Sequence, residues 1–143
     1  MIETDICVIG AGAAGLSVAA GAVQMGARVV LIEGAAMGGD CLNHGCVPSK
    51  ALLAAGKAAA ALRAGGPGVE GVVPVVDFAA AQAHVARVIA TIAPHDSQQR
   101  FEGLGVTVIR DWARFTGPDE IEAGGKRVRA RRFVIATGSR PFV

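Results

Sequence analysis

Three observations predict an α/β fold with a parallel sheet, flanking helices and a small antiparallel β-meander. A short apolar run, Asp5-Ile6-Cys7-Val8-Ile9, stops at the glycine-rich stretch Gly10-Ala11-Gly12-Ala13-Ala14-Gly15. A helix-forming stretch and a second apolar run, Arg28–Ile32, come next, in the strand, helix, strand order of a βαβ unit. Later in the chain, Gly117-Pro118-Asp119 and Gly124-Gly125 separate short runs of alternating character, which marks antiparallel hairpins. With 143 residues, 52% of them hydrophobic, the chain can bury the core of one globular domain and is too short for a second large one.

Composition narrows the function. A net charge of +2 points to neither nucleic acid nor an acidic membrane, and 4% aromatics with no Tyr argue against a nucleic-acid stacking surface. Gln24 and Arg28 interrupt the longest apolar run, so no bilayer span is expected. Glu3 and Asp5 stand where a signal peptide carries positive charge, and three cysteines without such a peptide suggest a soluble, cytoplasmic protein.

The elements follow in order. Asp5–Ile9 is a buried parallel strand and Ala13–Met25 a helix closed by Gly26. Arg28–Ile32 is the second strand, ending at Glu33. In that context the glycines of Gly10-x-Gly12-x-x-Gly15 have distinct tasks: a tight turn, backbone approach to a pyrophosphate, and close packing of helix on strand. The helix N-terminus faces the phosphates. Glu33, eighteen residues after Gly15, suits a ribose 2′-hydroxyl, so the unit reads as dinucleotide-binding.

An Ala-rich helix is expected from Val47 to Ala64, its alanines packing closely, then a loop from Gly65 to Pro74. From Phe78 a second helix repeats Ala81, Val85, Val88, Ile89 and Ile92 at helical spacing, and Pro94 should split it. His95 to Glu102 continues as helix, and His84 and His95 read as surface residues. Gly105–Ile109 is a third parallel strand, followed by short strands over 112–116, 120–123 and 126–130. Arg127, Arg129 and Arg131 alternate with Val128 and Ala130, a solvated face opposite an apolar one. Phe133–Ala136 is a further buried strand, which brings Thr137 and Gly138 to the cofactor edge. Cys7, inside a strand, reads as a small core hydrophobe.

Gly38–Lys50 carries the second motif, with Cys41, Cys46, Pro48 and Lys50 on the approach to a helix. In a regular helix residues five apart lie roughly 8–9 Å apart at Cα, and a disulfide needs about 4.4–6.8 Å. Cys41 and Cys46 therefore bridge only across a distorted backbone, which Gly45 permits. Cys46 falls near a helix N-terminus, which favours its thiolate, and Lys50 lies one turn along the same face. The stretch reads as a redox-active disulfide beside a redox cofactor. A Cys41-His44-Cys46 metal site is set aside because of the helix entry and Lys50.

Gly10-x-Gly12-x-x-Gly15-x-x-x-Ala19, Glu33, Gly39-x-Cys41-x-x-x-Gly45-Cys46-Val47-Pro48-Ser49-Lys50 and Ala136-Thr137-Gly138-Ser139-x-Pro141 run in order through the chain. Together they resemble the N-terminal portion of the FAD-dependent pyridine nucleotide-disulfide oxidoreductases, nearest the dihydrolipoamide dehydrogenase and mercuric reductase branch. The resemblance implies a Rossmann-like FAD/NAD(P)-binding three-layer fold over residues 1–143. It implies FAD held by Gly10, Gly12, Ala13, Ala14, Gly15, Glu33, Gly39, Asp40, Cys46, Lys50, Ala113, Ala136, Thr137 and Gly138. Cys41 would be the interchange thiol, Cys46 the thiol against the flavin, and Lys50 a neighbour that tunes the ring. Asp40 departs from the Thr of many relatives.

Electrons would pass from NAD(P)H, in the full-length enzyme, through FAD and the Cys41–Cys46 disulfide to a disulfide, dithiol or metal-ion substrate. The chain is expected to be an incomplete flavin domain, without the nicotinamide-binding and dimerisation domains that give the family its homodimers, and therefore without turnover alone. Two other readings stand beside it: a non-catalytic FAD-binding or thiol redox-sensing module, and a dinucleotide-type fold retaining no cofactor.

Overall fold

A computed structural model describes residues 1–140 of the chain. The strands are β1 (Ile2–Ile9), β2 (Val29–Ile32), β3 (Thr107–Ile109), β4 (Arg114–Phe115), β5 (Glu120–Ala123) and β6 (Lys126–Ile135). The helices are α1 (Ala13–Gln24), α2 (Gly39–Asn43), α3 (Cys46–Ala64), α4 (Phe78–Ile92) and α5 (Gln98–Gly103). All six strands join one sheet in the order β3-β2-β1-β6-β5-β4. β3, β2, β1 and β6 run parallel, whereas β5 pairs antiparallel with both β6 and β4.

All four residues of β2 are buried, as a strand covered on both faces requires. On one face Val8 and Leu31 pack with Leu16 and Ala19 of α1 and Phe101 of α5. On the other, Cys7, Val30 and Ile32 pack with Ile121 and Val128, so the meander forms the third layer. Burial pushes the Cys7 thiol up to about 12, in keeping with a core role.

Several expectations hold. Val85 is buried at the centre of the α4 stripe, and Pro94 splits the helix into a 3-10 turn, Ala93–Asp96, ahead of α5. His84 and His95 are exposed. Val128 and Ala130 are buried while Arg127 and Arg129 reach Glu120, Arg129 also reaches Asp119, and Arg131 reaches Asp5.

Others need correction. The strands expected over 126–130 and 133–136 are one ten-residue strand, β6, which pairs with β5 from Lys126 to Arg129 and with β1 from Val128 to Ile135. Arg131 and Arg132 do not interrupt it, because on a strand at the meander's margin both side chains reach solvent while the backbone stays in the ladder. The strand expected over 112–116 shrinks to Arg114–Phe115. The alanines of α3 are not closely packed throughout: Ala51 is buried, Ala55 and Ala59 are half-buried, and the rest of its outer surface is open. That spacing of four marks one narrow stripe.

Candidate functional site: a nucleotide cradle beside two thiols

The carboxyl ends of the four parallel strands lie in a row, and the segments that leave them carry Gly10 to Gly15, Glu33, Ala113 and Ala136 to Gly138. At the centre, Gly10 leaves β1 at φ +105°, and a Cβ there would overlap the Ala136 carbonyl. Ala136 follows β6 and donates its N–H to the Ile9 carbonyl at 2.8 Å. Thr137 and Gly138, the latter at φ +69°, continue from it. A Cβ on Gly15 would overlap the Gly10 carbonyl, so this glycine sets how closely α1 seats on β1.

Gly12 differs from both, since the nearest atom to a Cβ there is the Gly39 Cα at 3.9 Å. Its missing side chain leaves open space in front of α1. No side chain caps that helix, so the first-turn N–H groups at Ala13 and Ala14 are free for an anion. Glu33 sits beside them. Its carboxylate accepts from the Ala11 N–H and from the Ala35 N–H, each at 2.6 Å.

The thiol end docks on the cradle through backbone. The Gly38 N–H donates to the Ala11 carbonyl at 2.9 Å. Gly39, at φ +57°, lies so close to Gly12 that a Cβ would sit 2.6 Å from its Cα. Asn43 fastens α2 by donating to the carbonyls of Gly39 and Met37 at 2.8 and 3.1 Å. The Asp40 carbonyl accepts from the N–H groups of His44 and Gly45 at 2.8 and 2.6 Å, which turns the chain sharply into α3. The Asp40 carboxylate lies against Gly45, where a Cβ would be 2.7 Å from Oδ2.

Cys41 is thus on α2 and Cys46 is the first residue of α3, with Lys50 exposed one turn on. Both are free thiols here, Cys46 exposed and Cys41 half-buried. Cys41 is held above the ordinary thiol range, chiefly by its hydrogen bond with the Cys46 thiol, then by burial and the Cys46 charge. The Cys46 N–H and the Lys50 ammonium pull the other way. A cavity of about 310 Å³ opens beside Cys41, with Leu16, Ser17, Asp96, Arg100 and Phe101 on its walls. No cluster of three or more His, Cys, Asp or Glu suited to a metal is present among the described residues.

At the other end of the row sequence reasoning pointed to Ala113 alone and missed Arg110 and Trp112. After β3, Arg110 donates to the Ala35 carbonyl and Trp112 packs its indole on Gly34, where a Cβ would fall 2.5 Å from the ring. Ala113 beside it is half-buried against the core. Composition offered one signal, a single Trp in 143 residues. Asp96 and Arg100 had no sequence signal, because only the turn at Pro94 brings them over α2. Pro141, part of the last motif, lies outside the described residues. Among those residues no helix is long and apolar enough to cross a membrane.

Residues 4–143 match the protein family described as pyridine nucleotide-disulphide oxidoreductase. The dihydrolipoyl dehydrogenase of Thermus scotoductus is 38% identical over 142 residues, covering 96% of this chain and 30% of that protein. The mercuric reductase of Lysinibacillus sphaericus is 34% identical over 139 residues, covering 96% of this chain and 25% of that protein. Among solved structures, the HOCl-induced flavoprotein disulfide reductase RclA from Escherichia coli superposes with a TM-score of 0.77 at 25% identity, over 97% of this chain and 29% of that one. The chain therefore spans less than a third of the length of these relatives. A family match over nearly the whole chain, with a fold that agrees with it, makes this chain a member of the pyridine nucleotide-disulphide oxidoreductase family.

Proposed function

We propose that residues 1–143 form the FAD-binding, redox-disulfide-bearing segment of an oxidoreductase that moves electrons from NAD(P)H to a disulfide or metal-ion substrate or, in the reverse direction, from a dithiol to NAD(P)+. The observation that carries this is the contact of Gly12 with Gly39, which fastens an uncapped phosphate-type helix start to the helix bearing Cys41. The residues fit the cofactor: Gly12 leaves room for a pyrophosphate, α1 offers free N–H groups, and Glu33 stands where ribose hydroxyls can donate to it. Gly10, Ala13, Ala14, Gly15, Gly39, Ala113, Ala136, Thr137 and Gly138 line the same edge. Asp40 is the exception, and its turn toward Gly45 keeps its charge on the thiol side.

When bound, FAD supplies the electron pair taken from NAD(P)H. The chain's own chemistry is thiol exchange. Two electrons and two protons open the Cys41–Cys46 disulfide to two thiols. For a disulfide substrate, the Cys41 thiolate attacks one sulfur and displaces the other half as a thiolate, which takes up a proton. Cys46 then attacks the mixed disulfide on Cys41, releases the second thiol and restores the bridge. Cys41 fits the outer role because the cavity opens beside it, whereas Cys46 and Lys50 share one face of α3. Lys50 places its ammonium where it favours thiolate on Cys41.

Equilibrium dialysis of the chain against FAD tests the cradle, with retained flavin as the expected result. Thiol titration under denaturing conditions tests the pair: an oxidised sample should gain two thiols on reduction, and Cys41→Ser should abolish that gain. A chain that retains flavin but shows the same thiol count before and after reductant sinks the exchange mechanism and leaves a flavin-binding module. NAD(P)H is not expected to drive turnover by this segment alone.

A further inference from the structure

Trp112 is the only tryptophan of the chain and is 69% exposed, a costly position for the largest apolar ring unless something covers it. Its surroundings are not loose. The Trp112 N–H donates to Asp111 Oδ1 at 2.7 Å, and Asp111 Oδ2 accepts from the Gly124 N–H at 2.9 Å, which pins the backbone to the β5–β6 hairpin. Arg110 ties the same segment to Ala35 on the loop after β2. The atoms that a Cβ on Gly34 would meet first are Cδ2, Cε2 and Cε3 of Trp112, so the indole occupies the space a side chain at 34 would fill. Any side chain at 34 would displace it. One side of the indole is thereby held on Gly34, and most of the remainder faces solvent.

The position along the sheet edge says what it faces. Free N–H groups of α1 stand at the end of β1, Glu33 at the end of β2, and Trp112 just past the end of β3. Neighbouring strands are about 4.8 Å apart, so the phosphate, sugar and base of one nucleotide fall over successive strands. Adenine is an aromatic plane, and a fixed indole gives it a stacking partner without loss of side-chain freedom.

We propose that Trp112 forms the base-side wall of the cradle and stacks on the adenine ring of the bound dinucleotide. This rests on the nucleotide-binding reading above. It adds a side chain to a subsite for which the sequence suggested only the backbone of Ala113.

The test uses ADP as the probe and the 143-residue chain as the protein. ADP should quench the intrinsic fluorescence, which Trp112 alone supplies, and ribose 5-phosphate, which has no base, should not. In equilibrium dialysis Trp112→Ala should weaken ADP binding about tenfold, the lower part of the range for base–aromatic stacking, while Trp112→Phe keeps most of the affinity. ADP binding to the wild-type chain with no quenching, or an alanine variant that binds as tightly or more tightly, overturns the role of Trp112 and leaves the cradle intact. No ADP binding by the wild-type chain overturns both.

Discussion

The cradle and the thiol end touch at Gly12 and Gly39, yet they are built on opposite principles. The cradle is made of backbone: Gly10 lies against the Ala136 carbonyl and Gly15 against the Gly10 carbonyl so closely that no side chain fits at either glycine, and Glu33 bonds only to main-chain N–H groups. The thiol end is made of side chains on a five-residue helix and the first turn of α3, with Cys46, Lys50 and Asp40 all exposed. On the proposed function, the first construction suits a site that holds a ligand and the second a site that exchanges bonds.

The sharpest break of that comparison separates two glycines of the same loop. Gly10→Ala places a side chain at φ +105° against a backbone carbonyl, and should destabilise the fold by about 3 kcal/mol in urea denaturation. Gly12→Ala has an extended backbone and room for a methyl group, so stability should stay within about 0.5 kcal/mol while FAD or ADP affinity falls at least about tenfold. Equal losses of stability in the two variants would remove the distinction between a folding glycine and a binding one.

At the thiol end the readout is reactivity. Mass-resolved alkylation of the reduced chain at pH 8 should label the exposed Cys46 first, Cys41 later and the buried Cys7 last. Cys46→Ala removes the main cause of the raised Cys41 pKa, so Cys41 should then react severalfold faster. An unchanged Cys41 rate would mean that burial, and not its partner, controls it.

The smallest effect is expected away from both ends. At the amino edge of the sheet Asp5 receives hydrogen bonds from the Arg28 side chain and N–H, which lower its pKa from an ordinary 3.8 to about 2. The sign follows from the depressed value: the contribution is full above the ordinary pKa and is lost as pH falls from near 3.8 to about 2. Asp5→Asn should therefore lower stability slightly at pH 7 and flatten its decline in that acid window, with FAD and ADP affinity unchanged at pH 7. The pair is exposed, so the change is small.

The βαβ unit, the turn and packing roles of Gly10 and Gly15, the split at Pro94 and the alternating arginine strand were all legible in the sequence. Each depends on contacts between residues a few positions apart, or on a backbone conformation that only certain residue types allow. The continuity of β6 was not legible, because Arg131 and Arg132 look like a break until β1 is present to pair with the strand from Val128 to Ile135. The sparse packing of α3 was hidden for a related reason: alanine suits both a buried stripe and an open helix surface.

By itself, then, the sequence determined the fold class and the tight glycine turn at Gly10–Gly15, since local sterics and short-range spacing suffice for these. The tertiary structure decided which elements meet at the site. It set Gly39 on Gly12, turned the Asp40 carboxylate toward Gly45, brought Asp96 and Arg100 over Cys41, and laid Trp112 on Gly34. Those contacts join segments far apart in the chain, and they exist only after the four parallel strands have fixed a common edge.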